Sequence, residues 1–363
     1  MLIVDAHQDL AYNMLAFGRD YTLSAAEIRQ REDGTKIPLR NGDTLLGWPD
    51  YQRGQVAVIF ATLFVSPIRR QQSAEWDLLC YKTIEQAHIL YNQQVDVYYR
   101  LVETYPDKFK LILGLNDLNA VVDHWRWEKQ SEHPVGLVIL MEGAEGVREP
   151  AELEEWWERG VRIIGPAWAG TRFCGGTREP GPLTGEGFAL LERMAEFGFA
   201  LDLSHMDEKA VLQALDIYPG AIIASHSNAT ALLKGYENNR LLSDRVIRGL
   251  LERDGVVGVV PANGFLDAGW QDNGDRQSVT LQHVVAQIDH ICQLAGNAYH
   301  VGLGSDFDGG FGLQSVPVEI DTLADLQKLA PLLTEMGYSE TDIAAIFGAN
   351  WLNFLHRILP EAS

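Results

Sequence analysis

The chain repeats one pattern along most of its length. A short apolar run rich in β-branched residues is followed by a polar or glycine-rich turn, and then by a segment with helical periodicity. Continuous apolar runs, unlike alternating ones, are typical of parallel strands that are buried on both faces. The pattern predicts eight of these strands, at Leu2–His7, Val56–Val65, Gly136–Glu142, Val161–Trp168, Phe199–His205, Ala221–Ser227, Val256–Ala262 and His300–Asp306.

Helical periodicity fills the intervals between the runs, for example at Leu183–Phe197, Glu208–Leu215 and Val246–Leu251. Eight strand–helix units predict an α/β fold, a (β/α)8 TIM-like barrel formed as a single domain by residues 1–363. A ninth run, Lys110–Asn116, is interpreted as an extra hairpin or short strand outside the main sheet. An open doubly wound sheet is the alternative, but no G-x-G-x-x-G motif follows the first run to support dinucleotide binding.

The net charge of the chain indicates which classes of binding partner to expect. The 363 residues include 29 Lys and Arg against 50 Asp and Glu, so the formal net charge is −21. A surface this negative repels the phosphate backbone of nucleic acids and anionic membrane faces. We therefore expect a small-molecule substrate and neither a nucleic-acid nor a membrane partner, while a homodimer stays open.

Cysteine usage and the N-terminus indicate the compartment. Cys80, Cys174 and Cys292 are far apart and odd in number, which does not suit a disulfide framework. The N-terminus lacks the basic and apolar regions of a leader peptide, and the apolar stretch Val56–Val65 is too short to cross a bilayer. These features favour a cytoplasmic protein.

Chemistry-bearing side chains stand at the carboxyl ends of five predicted strands. In a (β/α)8 barrel these ends converge on one face, where active sites lie. Taken singly, each side chain has a structural explanation, such as a hydrogen-bonding histidine or an Asx turn. Together they predict a site for divalent metal ions, for which imidazole and carboxylate are suitable ligands. The set comprises His7, Asp9, Glu142, His205, His226 and Asp306.

Six ligands exceed what one tetrahedral ion needs, so we expect two divalent ions, with zinc as the first choice. The ligands divide into two pairs and a bridging residue, namely His7 with Asp9, His205 with His226, and Glu142 between them. A hydroxide held between two such ions is nucleophilic at neutral pH because metal binding lowers the pKa of water. Asp306 would then act as the catalytic acid and base, taking a proton and returning it to a leaving amine.

Six segments carry a family resemblance by their order and spacing: Asp5–Leu10, Met141–Gly143, Pro182–Thr184, Asp202–His205, Ala224–Asn228 and Gly302–Gly309. In these segments, and over nearly the whole chain, the sequence resembles the membrane (renal) dipeptidase family, metallopeptidase family M19, of the amidohydrolase-like metal-dependent barrels. The first motif is His-x-Asp, whereas most deaminases and dihydroorotase-like enzymes carry His-x-His. The motif therefore separates the two groups.

The resemblance implies a binuclear zinc hydrolase that cleaves dipeptides and often tolerates a D-residue at the C-terminal position. It assigns the metal and acid–base roles to the same six residues. It also implies that Arg240 holds the free carboxylate of the substrate, a task suited to the bidentate hydrogen bonds of a guanidinium.

One departure from the family pattern bears on the substrate. The fourth strand of well-studied dipeptidases ends in a histidine that contacts the substrate near the scissile carbonyl, and Trp168 stands there in this chain. An indole donates one hydrogen bond and carries no charge, so it cannot replace an imidazolium. Either another group polarises the carbonyl or the substrate differs, and we interpret Trp168 as substrate-binding. The next segment, Gly170–Gly176 with Arg172, is either a pocket wall or a surface loop.

Three functional hypotheses follow. A zinc dipeptidase leads, and another amide or lactone hydrolase of the same barrel, with a substrate changed by Trp168, comes second. A non-catalytic binding protein is third. It is disfavoured because the chain keeps every residue of the ligand set.

Overall fold

The core of the structure is a ring of parallel strands. The structure is a computed structural model, and it describes residues 1–71, 78–127, 132–236, 238–270 and 274–361. All eight predicted strands are present, at β1 Ile3–Gln8, β2 Val56–Phe64, β3 Val135–Glu142, β4 Val161–Gly165, β5 Ala200–Asp202, β6 Ile222–Ile223, β7 Val257–Val259 and β8 Val301–Leu303. Neighbours in sequence pair in parallel from β1 to β6, and β1 pairs with β8, which pairs with β7. A bridge from Ala224 to Val257 joins β6 to β7. The predicted barrel is confirmed.

The helices alternate with the strands. Within the described ranges they are α1 Leu10–Phe17, α2 Ala25–Glu32, α3 Ile37–Asn41, α4 Trp48–Gly54, α5 Ile84–Thr104, α6 Leu115–Trp127, α7 Leu153–Glu158, α8 Gly185–Phe197, α9 Glu208–Ile217, α10 Asp244–Glu252, α11 Leu281–Ala295, α12 Leu329–Glu335, α13 Glu340–Ala344 and α14 Asn350–Ile358. Within these ranges, no helix is both long enough and apolar enough to cross a membrane.

Local capping explains where a predicted helix begins and ends. The periodicity predicts Leu183–Phe197, but α8 starts two residues later because the Thr184 hydroxyl accepts a hydrogen bond from the Gly187 amide, as an N-cap. The helix stops at Gly198, whose φ of 81° is left-handed and favours glycine.

Alternation along the strands separates the barrel interior from the layer beneath the helices. Val58, Phe60 and Thr62 share one face of β2, and this is the interior face because the Thr62 hydroxyl bonds to Asp9. Val58 and Phe60 are wholly buried and belong to one apolar cluster with Trp351 of α14, whose ring centroid lies 5.4 Å from that of Phe60. A packed interior supports the active end of the barrel.

Strands β5 to β8 are shorter than the apolar runs predict, because side chains replace ladder hydrogen bonds where the strands end. The Asp202 carboxylate accepts hydrogen bonds from the backbone amides of Ser204 and Ser225, at 3.0 and 2.8 Å. On β1, the Asp5 carboxylate accepts from the Ser305 amide at 2.6 Å. These bonds satisfy buried amides while the chain leaves strand geometry and turns toward the barrel centre.

The interpretation of Lys110–Asn116 is wrong in one respect. Residues Phe109–Leu111 form a strand that pairs in parallel with the first half of β3, so this strand belongs to the main sheet and not outside it. It occupies the edge of β3 up to the point where β4 begins to pair, at Ile139 with Val161. The first half of β3 is free to pair with this extra strand because β4 pairs only with the second half of β3. The sequence pattern does not reveal this offset.

Within the described part of the chain, two further strand pairs lie outside the barrel, in loops at its carboxyl end. Ser66–Pro67 pairs in parallel with Cys80–Tyr81. Cys174–Gly176 pairs antiparallel with Glu179–Leu183 to form a hairpin between β4 and α8.

We predict that Gly258→Ala lowers the free energy of unfolding by about 1–3 kcal/mol, as overpacking does. A Cβ atom there would overlap the carbonyl oxygen of Ser225, because β6 and β7 approach closely. Urea unfolding followed by circular dichroism measures the change. Gly185→Ala is the matched control, since no atom lies within 4 Å of its added Cβ. Equal stability of the two variants would contradict the close approach.

Candidate active site

The six side chains predicted as ligands and acid–base group meet at the carboxyl end of the barrel. His7 Nε2 lies 3.7 Å from Glu142 Oε2, 3.8 Å from Asp306 Oδ1 and 3.9 Å from Asp9 Oδ2. All six residues are buried, with exposed fractions of 8% or less. The structure therefore brings together residues that are as much as 299 positions apart in the sequence.

Two imidazoles share one oxygen of Glu142. His205 Nε2 lies 3.0 Å and His226 Nε2 lies 3.2 Å from Glu142 Oε1. The two Nε2 atoms are themselves 3.0 Å apart. Three overlapping groups of potential donor atoms, each within 4.8 Å, result: His7, His226 and Asp306; Glu142, His205 and His226; and His7, Asp9 and Glu142.

Hydrogen bonds from a second layer of residues orient these side chains. Ser225 Oγ lies 2.8 Å from His226 Nδ1 and donates to Asp202 Oδ2 at 2.5 Å. Thr177 Oγ1, from the hairpin between β4 and α8, lies 2.9 Å from His205 Nδ1. A partner on Nδ1 leaves Nε2 available as the ligand atom, which is the usual arrangement around metal-binding histidines.

Unusual backbone angles aim two of the six residues. His205 has a φ of 68° and Asp306 a φ of 56°, both left-handed values that side-chain-bearing residues seldom adopt. The strain persists where surrounding contacts enforce it, and such residues cluster at functional sites. At Asp306 the backbone amide donates to the His7 carbonyl at 3.1 Å, which ties the loop after β8 to β1.

Asp308, also left-handed with a φ of 63°, anchors the same loop. Its buried carboxylate accepts hydrogen bonds from Arg19 Nη1 at 3.0 Å, Tyr21 Oη at 2.7 Å and the Leu45 amide at 3.0 Å. Sequence reasoning missed this anchor, because Arg19 lies in a polar stretch without a motif. The second aspartate of the Asp306–Gly309 segment was the available signal.

Electrostatics set the protonation of the cluster. Burial and the Glu142 carboxylate raise the pKa of Asp9 to about 6, and burial with the Asp9 and Glu142 carboxylates raises that of Asp306 well above its ordinary value. Burial lowers the pKa of His7, but Glu142, Asp9 and Asp306 outweigh it and raise that pKa to about 9. The anionic cluster therefore holds a proton on His7 in the absence of another cation.

The other two histidines are neutral. Burial and the Arg240 guanidinium lower the pKa of His205 to about 4, and burial lowers the pKa of His226 well below its ordinary value. Neutral imidazoles carry the free lone pair that a metal ion requires.

These observations fit divalent metal ions. His7 Nε2 is buried and has no hydrogen-bond partner among the described residues, although it points at three carboxylates. A buried polar atom without a partner is costly, and a metal ion would satisfy it together with the surrounding oxygens. Imidazole nitrogen with carboxylate oxygen is a donor set that zinc and related ions accept.

A cavity of about 440 Å³ opens beside the cluster. Its volume falls within the range of small-molecule sites. Asp9, Glu142, His205 and Asp306 form part of its lining, and aromatic side chains form much of the rest: Tyr12, Phe17, Phe64, Trp168, Phe265, Trp270 and Phe311.

Arg240 is a buried cation in this cavity, 3% exposed. Its Nη2 donates to the His226 carbonyl at 2.8 Å and its Nη1 to Ser227 Oγ at 3.4 Å. Its Nε has no hydrogen-bond partner among the described residues. The guanidinium is therefore fixed beside the candidate ligands and retains a donor for an anionic group.

Trp168 lines the cavity, as a substrate-binding role requires, with its ring 6.0 Å from that of His205. Arg172 does not line it: its guanidinium pairs with Glu145 at 3.3 Å and Glu186 at 2.9 Å. The arginine that the hairpin contributes to the cavity is Arg178. Sequence reasoning missed Arg178, because hairpin geometry decides which of two nearby arginines faces inward.

Residues 1–362 match the sequence profile of a family described as Membrane dipeptidase (Peptidase family M19). The chain belongs to this family. The resemblance found in the strand-end motifs is confirmed, and membership places the protein among the hydrolases, as a metal-dependent enzyme of the dipeptidase class.

Relatives differ in how much they share with this chain. An uncharacterised protein in the pqqA 5′ region of Klebsiella pneumoniae is 31% identical over 280 residues, which cover 74% of this chain and 96% of that protein. Dipeptidase tcpJ of Claviceps purpurea is 27% identical over 283 residues, 75% of this chain and 60% of that protein. This chain thus spans less than two thirds of the length of tcpJ.

Solved structures share the architecture. A metallopeptidase from Rhodobacter sphaeroides, liganded with a phosphinate mimic of the dipeptide L-Ala-D-Ala, matches with a TM-score of 0.78 and 24% identity over 99% of both chains. The probable dipeptidase PvdM from Pseudomonas aeruginosa matches with a TM-score of 0.77 and 19% identity, over 99% of this chain and 95% of that chain. Both have the same fold.

We predict that the apparent affinity for the first zinc ion rises about tenfold per pH unit from about pH 7 and levels off above pH 9. The reason is that a metal ion must displace the proton on His7, whose pKa is about 9 in the metal-free protein. Because the pKa of His7 is higher in the folded metal-free protein than in the unfolded chain, the proton on His7 adds to the free energy of unfolding. This contribution is complete at pH values below the pKa of the unfolded chain and is lost as the pH rises through about 9. Titration calorimetry in two buffers of different ionisation enthalpy measures the affinity and the protons released. An affinity that does not change between pH 7 and 9 would rule out proton displacement.

Proposed function

We propose that this protein hydrolyses the peptide bond of dipeptides, using two zinc ions. The observation that carries the proposal is the overlap of three donor groups, two of which share Glu142, beside a cavity that also holds a buried arginine. The donor groups would bind the metal ions that the hydrolysis needs, and Arg240 would bind the carboxylate of a small substrate.

In this proposal His7 and Asp9 would hold one ion and His205 and His226 the other, with Glu142 available to both. The ions, when bound, lower the pKa of water and polarise a carbonyl group. Thr62 supports Asp9 through a hydrogen bond, as Thr177 and Ser225 do for the histidines.

Arg240 positions the substrate. Its guanidinium binds the terminal carboxylate by charge-assisted hydrogen bonds and thereby places the peptide bond beside Glu142 and Asp306. The phosphinate mimic of L-Ala-D-Ala in the Rhodobacter sphaeroides structure supports a dipeptide of this kind, and a D-residue at the C-terminal position.

Asp306 moves the proton. Its carboxylate takes a proton from the attacking water and then donates it to the nitrogen of the leaving amine. Burial among other carboxylates raises the pKa of Asp306, which suits a group that must hold a proton between the two steps.

A second candidate, an amide or lactone hydrolase without dipeptide specificity, is favoured by Trp168. The indole stands where family members present a histidine, so the group that contacts the scissile carbonyl differs here. A hydrolysis screen of the zinc-loaded protein with L,L-, L,D- and D,D-dipeptides, acylated amino acids and lactones separates the two. Preference for lactones or acylated amino acids would replace the dipeptidase proposal.

We predict that Asp306→Asn lowers kcat by about 10²–10⁴-fold while the zinc content stays the same. The amide keeps the shape of the side chain but cannot take up the proton. Steady-state kinetics on a cleaved dipeptide, with metal analysis of both proteins, measures the effect. Full turnover at full metal content would exclude Asp306 as the base.

We predict that Arg240→Ala lowers kcat/KM for free dipeptides about 10- to 150-fold, since a charge-assisted hydrogen bond contributes roughly 1.5–3 kcal/mol. Dipeptide amides, which lack the carboxylate, should be affected little. Arg178→Ala is the matched control because Arg178 lines the same cavity but is exposed. If Arg178→Ala lowered kcat/KM more than Arg240→Ala does, the substrate carboxylate would instead be assigned to Arg178 of the hairpin.

A further inference from the structure

Four aromatic rings form a continuous surface along one side of the cavity. The ring centroids of Phe17 and Tyr12 are 6.3 Å apart, those of Tyr12 and Phe64 are 5.5 Å apart, and those of Phe64 and Trp168 are 5.0 Å apart. We call these four residues the aromatic wall. It begins at the end of α1 with Phe17 and ends at Trp168, beside the ring of the candidate ligand His205.

Packing alone does not account for the aromatic wall. All four rings line the cavity, and each residue is half-buried, whereas core aromatic residues such as Phe60 and Tyr98 are wholly buried. Apolar surface that stays open inside a concave site is typical of small-molecule pockets. The wall therefore offers a surface to a ligand group.

The aromatic wall stands across the barrel from Arg240. Phe64 is the last residue of β2, while Arg240 is bonded to the carbonyl of His226, which follows β6. In a ring of eight strands, β2 and β6 are four positions apart and thus opposite each other. The candidate ligands lie between the two sides.

A dipeptide held at both the ligands and Arg240 has one possible direction. Its C-terminal carboxylate lies at Arg240 and its peptide bond lies at the ligands. Its N-terminal residue is then directed toward β2, where the aromatic wall stands.

We propose that the aromatic wall binds the side chain of the N-terminal residue of the dipeptide and selects aromatic or large aliphatic side chains. This inference rests on the proposed dipeptidase function and names its substrate class. Ring-to-ring contact adds to the gain from burying apolar area. The wall itself carries no charged group, so it gives an acidic side chain no partner, and Arg70, which lines the same cavity, is paired with Glu179 at 2.8 Å.

The first experiment compares dipeptides that share a C-terminal alanine: Gly-Ala, Leu-Ala, Phe-Ala and Glu-Ala. With the zinc-loaded protein we expect kcat/KM for Phe-Ala to exceed that for Gly-Ala about 10- to 150-fold, the value of burying one large apolar side chain. Ala-Phe and Ala-Gly form the reversed pair and should differ less. The readout is the ratio within each pair, so changes in metal content cancel.

Variants locate the preference. Phe64→Ala and Phe17→Ala should each lower the Phe-Ala to Gly-Ala ratio about 2- to 12-fold, while the rate on Gly-Ala changes less. Trp270→Ala is the matched control, since Trp270 lines the same cavity from the segment that follows β7 and takes no part in the ring pairs that form the wall. It should keep the ratio. Thermal unfolding shows whether Phe64→Ala folds. If it does not, Phe17→Ala provides the test, because Phe17 is the last residue of α1 and is not among the buried residues of that helix.

The outcomes are distinct. A ratio near one in the wild type, a ratio unchanged in both wall variants, or a preference for Glu-Ala would each overturn the assignment of the aromatic wall. A ratio lowered by Trp270→Ala but not by the wall variants would also overturn it. If no dipeptide is cleaved although acylated amino acids or lactones are, the proposed dipeptidase function itself fails.

Discussion

Three buried carboxylates share one small volume with three imidazoles, and the rest of the active end of the barrel depends on this constraint. Burial and the Glu142 carboxylate raise the pKa of Asp9 and of Asp306, because little water remains to screen the charges. Burial also disfavours the charge of Glu142, but His7 and His205 outweigh it and hold the pKa of Glu142 well below its usual value. A cation must offset the charge, and in the metal-free protein the proton on His7 does so. Two divalent ions would offset it more completely and would occupy the unpaired His7 Nε2.

The carboxylates of this cluster repel one another, so the cluster keeps its geometry only if hydrogen bonds from neighbouring residues hold the side chains in place. The left-handed backbone at Asp306 is held by the hydrogen bond from its amide to the His7 carbonyl on β1. The imidazole of His205, whose backbone is also left-handed, is held by Thr177 of the hairpin. Asp308 gathers Arg19, Tyr21 and the Leu45 amide around one carboxylate and so fixes the loop that carries Asp306. Arg19, Tyr21 and Asp308 are as buried as the site itself, so the loss of one of them leaves an unpaired polar group in the interior.

In the proposed function, different parts of the barrel carry out the chemistry and the selection of the substrate. The donor groups and Asp306 lie at its centre, Arg240 lies on the β6 side, and the aromatic wall lies on the β2 side. Trp168 continues the aromatic wall up to His205. If the wall binds a substrate side chain as proposed, Trp168 belongs to that pocket, and the residues proposed to move protons or hold ions need no change.

The eight strands and the six clustered residues were predictable from sequence, because burial on both faces imposes a continuous apolar run and a barrel gathers the strand ends. What decided the rest was contact between distant residues. The pairing of Phe109–Leu111 with β3, the bond from Arg19 to Asp308 across 289 positions and the inward position of Arg178 leave no periodic trace in the sequence. They arise only once the ring has closed and its loops have packed, because hydrogen bonds and ring contacts depend on distances in space, not along the chain.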